Sequence, residues 1–547
     1  MRAVFGVRAC AVAALAALGA ALWAGPAGAA PGLMVGATED MFKLEPVLAR
    51  TLAQDLGLRA TRVSLHWDPG QTTLKAGDAV ELRNAVSTGV RVVVAIYGWH
   101  NTAPQDAASR DAYCTYARDV LEQVPEVNDI VVWNEPNISY FWRPQFDAGA
   151  SASPVAYAAL LARCWDVLHA FRPRVNVIAP ATSPWGNDDP QNSVVISHSP
   201  VTFIRRLGEA YKESGRTEPI FDTVGHHVYG SSPGERPWRQ HTSSRRISQS
   251  DLGKLVNVLT ESFGGTRQPA PGMPVDGRAA SIWYMEAGHE TVPVAEKQPL
   301  YANAETTAAL PDSLGGLPWT VLPDSASPAP DQATQLRDAV RLAYCQPYVE
   351  AYFNFLLRDQ EELNYWQSGV LWADRTPKAS YGVFRSVIGE ATAGTVDCSL
   401  FAPAPGQAPA AIRADEASVL LSPPAGAVPE STLVDATPES TPVTPRALTV
   451  KWVRRLRGGF AQRHVDWRIA VRASARARYV ATVVDGKGRS RLNVAGQLAA
   501  DRLTWIRFPR RRLAPGRYRV VLRLTVPDRS PRQLTLRGGG FRVQRLR

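Results

Sequence analysis

The chain has 547 residues, 61 of them Lys or Arg and 50 Asp or Glu, which gives a formal net charge of +11. Residues 446–547 hold 27 Lys and Arg against 4 Asp and Glu, whereas the first 445 residues hold 34 against 46. The length predicts several domains or one large barrel with an appendage. Because the charge is so uneven, the net value alone does not indicate a nucleic-acid-binding protein.

The first thirty residues have the layout of a secretory signal peptide. Arg2 and Arg8 precede or begin an apolar run that extends to Trp23, and the small residues 27–29 follow it. The run is too short for a comfortable membrane span, and no later stretch approaches about 20 apolar residues. We therefore expect a chain that is secreted or associated with the cell envelope and is not transmembrane. A retained N-terminal anchor is the alternative.

Eight rounds of an apolar run followed by an amphipathic segment occupy residues 32 to about 395. This repeat predicts an α/β fold in which residues 31–398 form a (β/α)8 TIM barrel. A doubly wound open sheet is the alternative, but it normally needs fewer strands, and the chain has no Gly-rich phosphate turn. The strand candidates are residues 32–40, 60–67, 91–99, 129–137, 176–184, 221–230, 281–290 and 352–359.

Four cysteines remain after the predicted signal peptide, an even number that suits an oxidising compartment. Cys114 and Cys164 lie on consecutive predicted helices, and about one helical hairpin separates Cys345 from Cys398. This order favours the pairs Cys114–Cys164 and Cys345–Cys398, with free buried thiols as the alternative. None has the spacing of a metal site, and we expect neither a metal nor a cofactor.

Three further segments differ from the barrel repeat. Residues 291–332 form an insertion rich in Pro, Ala, Ser and Asp, which we expect to line the active-site cleft. Residues 399–445 are rich in Pro, Ala, Ser and Thr and are typical of a linker. Residues 446–547 alternate apolar residues with Arg between turn signals, which predicts a small antiparallel β-sandwich with an arginine-rich outer face.

Two glutamates follow apolar strand cores and are three strands apart in the predicted barrel. Glu135 follows "DIVVWN" and Glu286 follows "SIWYM". Pro136 cannot continue a central strand and favours an extended Glu135, so we expect the fourth strand to end with Glu135 at the barrel mouth. Side chains at the C-terminal ends of barrel strands converge on one pocket, and a pair of carboxylates is what glycoside hydrolysis requires. Trp and Tyr near these strand ends suit stacking on sugar rings.

The motifs "WNEPN" on the fourth strand and "WYMEAG" on the seventh resemble those of the retaining TIM-barrel glycoside hydrolases. This clan includes the family 5 cellulases and the family 39 xylosidases, and the resemblance extends in order over residues 32–395. It implies that Glu135 is the acid/base and Glu286 the nucleophile. It also implies substrate-binding or positioning roles for Arg62, Asn134, His100, His227 and Tyr229, and for Trp366 or Trp372 as a sugar platform; Trp67 is a further candidate from its position after the second strand.

These expectations leave alternatives open. The main one is a non-catalytic carbohydrate- or envelope-binding protein built on the same barrel. For a retaining enzyme we expect the two carboxyl groups to be ~5–5.5 Å apart, with the pKa of Glu135 raised. His226, Trp142, Trp185 and Trp283 could line the cleft or only pack. The basic C-terminal region could be a solvated surface, a site for an anionic cell-envelope polymer, or a nucleic-acid site, the last being least favoured because stacking aromatics are sparse.

Overall fold

The structure is a computed structural model that describes residues 32–192, 195–305, 309–314 and 330–401, together with eight strands between residues 450 and 544. The predicted signal peptide lies outside the described residues, as does nearly all of the predicted linker, so both stay predictions. The chain divides into two compact units, Met1–Thr432 and Leu433–Arg547. Each unit is described separately below.

The first unit contains a closed barrel of eight parallel strands. Each strand pairs with its neighbours in the sequence, and the last strand pairs with the first to close the barrel. This arrangement confirms the predicted (β/α)8 fold. The strands are β1 (Met34–Thr38), β2 (Ala60–His66), β3 (Arg91–Tyr97), β4 (Asp129–Val132), β5 (Asn176–Thr182), β6 (Thr223–His227), β7 (Ile282–Ala287) and β8 (Val349–Phe355).

Helices connect successive strands, and several begin at side chains that cap them. The Asp106 and Ser109 side chains form a capping box, in which each satisfies a backbone N–H at the helix start. Ser199 and Asp331 each accept a hydrogen bond from the backbone N–H three residues later. The helices are α1 (Met41–Leu44), α2 (Pro46–Leu56), α3 (Ala76–Ser87), α4 (Ala107–Gln123), α5 (Ser153–Phe171), α6 (Pro200–Glu213), α7 (Leu252–Phe263), α8 (Gln332–Cys345) and α9 (Ser380–Ala393).

The eighth round differs from the sequence prediction. We predicted a strand starting at residue 352 after a longer helix, but α8 ends at Cys345 and β8 begins at Val349. Pro347 lies in the connection and has no N–H to donate, and Tyr348 has a left-handed backbone with φ 67°. These two residues end the helical pattern earlier than its periodicity indicates.

Two disulfide bonds lie on the helical layer of the barrel unit. Cys114 on α4 is bonded to Cys164 on α5, and Cys345 at the end of α8 is bonded to Cys398. These are the pairs that the sequence favours. Each closes a loop of roughly 50 residues, which is worth about 4 kcal/mol in the chain-entropy account of disulfide stabilisation.

A buried ion pair joins the loop after β8 to the insertion after β7. Lys378 and Asp359 are both fully buried, with 2.7 Å between Nζ and Oδ1. Lys378 Nζ also donates to Thr291 Oγ1 at 2.6 Å and to the Gln367 carbonyl at 2.9 Å, while Asp359 accepts a hydrogen bond from the Tyr301 hydroxyl. Burial raises the pKa of the Asp359 carboxyl to about 6 despite its lysine partner. The described part of the insertion is therefore fixed to the barrel.

Replacing Lys378 by Met should lower the free energy of unfolding by about 3–5 kcal/mol, since it leaves a buried carboxylate without its partner. Lys297→Met is the matched control. Its pair with Asp374 is partly exposed, so we expect a loss of at most about 1 kcal/mol. Denaturant unfolding followed by tryptophan fluorescence measures both. Because the cost comes from ionised Asp359, and loss of the lysine raises the Asp359 pKa above its native value of about 6, the difference between Lys378→Met and the native chain should shrink as the pH falls towards 6 and stay constant below it. Equal losses in the two variants would contradict this account.

The second unit contains β-strands that form two sheets. The five-stranded sheet has the order β10, β16, β15, β12, β13, and the three-stranded sheet has the order β9, β11, β14. All the pairs are antiparallel except β10 with β16. How the two sheets pack is not described, so the predicted sandwich stays a prediction. The strands are β9 (Val450–Arg454), β10 (Gly459–Ala461), β11 (Arg468–Ala473), β12 (Ala477–Asp485), β13 (Ser490–Leu498), β14 (Leu503–Arg507), β15 (Gly516–Thr525) and β16 (Leu534–Gln544).

The described residues include no helix that is both long and apolar enough to cross a membrane.

Candidate active site

Two glutamates and a histidine meet at the C-terminal ends of β4, β6 and β7. His227 Nδ1 lies 2.8 Å from Glu135 Oε1 and 3.4 Å from Glu286 Oε2. Because one atom contacts both carboxylates, these two oxygens are no more than about 6 Å apart. The pairing of β6 with β7 places His227 directly beside Glu286, which brings the imidazole to this position.

The protonated nitrogen of His227 follows from its neighbours. Nδ1 is within hydrogen-bonding distance of Glu135 Oε1 and close to Glu286 Oε2, and while both carboxylates are ionised this arrangement requires the tautomer with the proton on Nδ1, because carboxylate oxygens only accept. Nε2 is buried without a hydrogen-bond partner. His227 therefore acts as a donor shared by Glu135 and Glu286, and the sequence prediction of a substrate contact describes its place in the site but not this role.

Donors on two other strands hold Glu286. Arg62, on β2 and only 2% exposed, donates from Nη1 to Glu286 Oε1, and Tyr229 donates from its hydroxyl to Oε2 at 2.9 Å. The other Nη group of Arg62 donates to Asn134 Oδ1 at 2.5 Å. Since the Asn134 oxygen is engaged by Arg62, the Nδ2 group of this amide is left to donate to a ligand.

The pKa values of Glu135 and Tyr229 are both raised, chiefly by burial. For Glu135 the hydrogen bond from His227 lowers the pKa and the charge of Glu286 raises it, but loss of solvation dominates. The pKa of the Tyr229 hydroxyl is also raised by the charges of Glu286 and Glu135, so this hydroxyl keeps its proton and remains a donor. Both side chains are 11% exposed, so the two glutamates differ in their donors: Glu286 accepts from a cation and a phenol, while the Glu135 carboxylate contacts His227.

The turn after β4 places Glu135 over the barrel. The strand ends at Val132, three residues earlier than we predicted, and Trp133 and Glu135 both have left-handed backbones, with φ 68° and φ 39°. The predicted extended conformation of Glu135 is therefore wrong. The Glu135 N–H donates to the carbonyl of Ala181 near the end of β5 at 3.1 Å, and this bond outweighs the preference that Pro136 imposes. Such conformations persist only where surrounding contacts hold them, and they are common at functional sites.

Asn137 fixes the same turn to the loop after β5. Its buried side chain accepts from the Ser183 N–H at 2.9 Å and donates to the carbonyls of Ser183, Trp185 and His198. The loop is tightly packed at Gly186, where an added Cβ would lie 2.0 Å from the His198 carbonyl oxygen. Sequence reasoning gave Asn137 no role, although a second Asn next to Pro136 was a signal that the turn needs a side chain to satisfy backbone groups.

Aromatic rings surround Tyr229 beside the carboxylates. The Trp366 ring lies 4.9 Å from that of Tyr229 between centroids, and Trp185 stacks on Tyr229 at 6.0 Å. Phe355 at the end of β8 contacts both Tyr229 and Trp366. Trp366 and Trp185 are both partly exposed near Tyr229, but the Arg246 guanidinium also lies over the Trp185 ring, 5.7 Å from its centroid. Of the two platform candidates from the sequence, Trp366 is the one in this position.

Two of the predicted substrate-binding residues are buried elsewhere. Trp67 is completely buried, donates from Nε1 to the Gln71 carbonyl and packs edge-on against Tyr113. Trp372 is 2% exposed and lies 4.8 Å from Lys378 Nζ, in the buried ion-pair region. Neither ring has a free face, so both predictions are wrong as direct sugar contacts. A position at the end of a strand does not by itself indicate which side chains are buried in the core.

The remaining candidates divide between packing and the cleft rim. Trp142 and Trp283 are buried, and His226 is fixed by Thr182 and the Ile247 carbonyl, so these three are structural. Burial lowers the pKa of His226 to about 4 and keeps it neutral. His100 is partly exposed, and its carbonyl accepts from the Arg143 N–H, so its contact with a sugar stays a prediction.

Comparison with known proteins adds little to this geometry. No protein-family model and no curated protein matches the chain. Among solved structures, a family 39 glycoside hydrolase from Bacteroides cellulosilyticus WH2 is 13% identical with a TM-score of 0.41, covering 88% of this chain and 81% of its own. An exo-β-1,4-mannosidase from Opitutaceae bacterium strain TAV5 is 12% identical with a TM-score of 0.40, covering 68% and 63%. A Bacteroides uniformis β-glucuronidase is 11% identical with a TM-score of 0.38, covering 94% and 46%.

This chain spans less than two thirds of the mannosidase chain and less than half of the glucuronidase chain. Because all three TM-scores are below 0.5, we infer no activity from these matches. The functional inference below depends on the residues of the site.

Proposed function

We propose that the protein is an exported retaining glycoside hydrolase that cleaves O-glycosidic bonds by double displacement. The observation that carries the proposal is the pair Glu135 and Glu286, which share the His227 donor and lie in different surroundings. One is desolvated, with a raised pKa, and the other accepts hydrogen bonds from Arg62 and Tyr229. An acid and a carboxylate side by side are the two groups that this reaction needs.

The separation of the carboxylates is compatible with retention. Inverting enzymes keep their carboxyl groups roughly 6.5–9.5 Å apart to leave room for a water molecule. The contacts with His227 limit the nearest oxygens of Glu135 and Glu286 to about 6 Å. This limit supports a direct attack by Glu286 on the sugar.

The reaction has two steps. Glu286 attacks the anomeric carbon while Glu135 gives its proton to the aglycone oxygen, so the C–O bond breaks and a glycosyl ester forms on Glu286. Glu135, now ionised, then takes a proton from water as that water attacks the anomeric carbon. Glu286 leaves as a carboxylate and Glu135 is protonated again. The two inversions leave the anomeric configuration unchanged.

Neighbouring residues would hold the sugar for this chemistry. The free Nδ2 group of Asn134 is suited to donate to a sugar hydroxyl, because Arg62 fixes the amide orientation. The partly exposed Trp366 ring is suited to stack on the C–H face of a sugar ring. The two disulfides agree with an oxidising compartment, and export is part of the proposal.

A panel of aryl glycosides, followed by NMR of the first-formed anomer, tests the mechanism. We expect hydrolysis of at least one sugar configuration with retention. A 2-deoxy-2-fluoro glycosyl fluoride of the same sugar should add one glycosyl mass to the peptide that contains Glu286. A product of inverted configuration would refute double displacement. Binding of oligosaccharides without hydrolysis, unchanged in Glu286→Gln, would instead identify a carbohydrate-binding protein on a glycosidase barrel.

Removing the shared donor should change the pH dependence of the reaction. The His227 hydrogen bond favours ionised Glu135, so His227→Ala should raise the Glu135 pKa further and move the alkaline limb of the kcat/KM profile to higher pH. His227→Asn is the matched variant, since an Asn Nδ2 can replace Nδ1 as the donor, and its limb should move back towards the native position. Identical limbs in all three proteins would contradict the role of His227.

A further inference from the structure

One face of the five-stranded sheet carries six arginines from three adjacent strands. In an antiparallel pair, residues directly opposite each other share a face. The register pairs Arg517 with Arg542, and Arg523 with both Val480 and Thr535. Following these pairs across the sheet, the arginines of this face are Arg478 on β12, Arg517, Arg519 and Arg523 on β15, and Arg537 and Arg542 on β16. We call this set the basic face.

The other face of the same sheet is apolar. The register places Leu522 and Leu524 on it, opposite Ala481 and Tyr479, and places Tyr518 opposite Phe541. Ala481 and Val483 on this face are fully buried, whereas Thr482, between them on the basic face, is partly exposed. Val484, at the end of β12 on the basic face, is 7% exposed. The apolar composition of the other face indicates that it belongs to the interior, which leaves the basic face for a partner.

The basic face concentrates like charge without an acidic partner. Arg517 and Arg542 are directly opposite each other, an arrangement that lowers sheet stability in the absence of an anion. Within the described strands, no Asp or Glu has a register position on this face. Asp485 is opposite Tyr518 on the other face and pairs with Arg491 at 2.8 Å. An anion bound across the three strands would relieve this repulsion.

We propose that the basic face binds an anionic polysaccharide, one that carries carboxylate or phosphate groups along an extended chain. Guanidinium groups bind both kinds of anion in a two-pronged manner, and adjacent strands about 4.8 Å apart offer a row of them. Single-stranded nucleic acid is less suited, because it needs aromatic stacking platforms and the described strands place Tyr479, Tyr518 and Phe541 on the opposite face. Such binding would hold the barrel unit beside a polymer.

Binding of the full chain to two polymers tests the proposal, in the Glu286→Gln background so that hydrolysis plays no part. The probes are polygalacturonate for carboxylate and poly(glycerol phosphate) for phosphate, and dextran serves as the neutral control. We expect the triple change R517Q/R519Q/R523Q to weaken binding of at least one polyanion by about tenfold or more. The triple change R517K/R519K/R523K at the same positions keeps the charge, controls for folding, and should bind within a few-fold of the parent.

The outcomes distinguish a general effect of positive charge from binding at the basic face. A second control, R83Q/R118Q/R174Q, removes the same charge from exposed positions on the barrel unit and should leave binding unchanged. Equal weakening in this control and in the basic-face variant would overturn the proposal, as would absence of binding to both polyanions. DNA is also tested at the same salt concentration. If DNA binds more tightly than either polymer, and the same three substitutions abolish that binding, the ligand is nucleic acid and the proposal is overturned. If the basic face binds a polyanion but the native chain hydrolyses no glycoside, this inference stands and the proposed catalysis is refuted.

Discussion

Changing Glu286 to Gln should reduce kcat/KM on the order of 10⁴–10⁶-fold for every glycoside that the native chain hydrolyses, since the variant has no nucleophile. The amide has nearly the same size, its single oxygen can still accept from Arg62, and its Nε2 group can donate to the Tyr229 hydroxyl oxygen, so the fold should be preserved. Initial rates with aryl glycosides measure the effect, and far-ultraviolet circular dichroism checks the fold.

Glu209→Gln provides the matched control for the nucleophile. Glu209 lies on α6 and pairs with Arg206 on the surface, so the same change of charge should leave kcat/KM within about twofold of native. If Glu286→Gln also stays within about tenfold of native, Glu286 is not the nucleophile, and the double-displacement proposal is refuted.

Changing Glu135 to Gln should have an effect that depends on the leaving group. For glycosides with poor leaving groups, kcat/KM should fall on the order of 10²–10⁴-fold, because the aglycone oxygen no longer receives a proton. Dinitrophenyl glycosides need no acid in the first step, so the glycosyl ester should accumulate and give a burst of phenol. The fall of activity at high pH should disappear, because it reports ionisation of the raised Glu135 carboxyl.

Azide separates the acid/base role of Glu135 from a structural one. It attacks the glycosyl ester without base assistance, so it should raise the steady-state rate of Glu135→Gln and yield a glycosyl azide of retained configuration. Glu126→Gln, at an exposed position on the barrel unit, should behave as native and show no azide effect. A uniform rate loss for all leaving groups, with no azide product, would contradict the assignment.

The sequence predicted best those structural features for which the residue type has one main physical role. The eight barrel strands could be found from short apolar runs between amphipathic segments, and Glu135 and Glu286 from charge at the end of such runs. Arg62, Asn134, His227 and Tyr229 were correctly grouped with the glutamates, because the C-terminal ends of parallel strands meet. The eighth strand was placed three residues late, since the helical periodicity continues in sequence past the point where Tyr348 turns the backbone.

Side-chain exposure and backbone conformation could not be predicted in the same way. Trp67 and Trp366 both follow strands, but only tertiary contacts decide that the first is buried and the second lies beside Tyr229. The left-handed conformation of Glu135 depends on a hydrogen bond to Ala181, about fifty residues away in the chain. Strand β13 of the second unit carries a clear sequence signal, because Leu492, Val494 and Leu498 alternate with polar or small residues.

Because Asn137 anchors the β4 turn, Glu135, the proposed acid/base, and the loop after β5 form a single unit for evolution and design. Transferring "WNEPN" to another barrel would supply Glu135 without the Ala181 and Ser183 backbone groups that position it. A substitution such as Gly186→Ala would disturb the packing of that loop against His198 without touching either carboxylate. Laboratory evolution of this cleft should therefore exchange the β4 turn and residues 181–198 together, as one cassette.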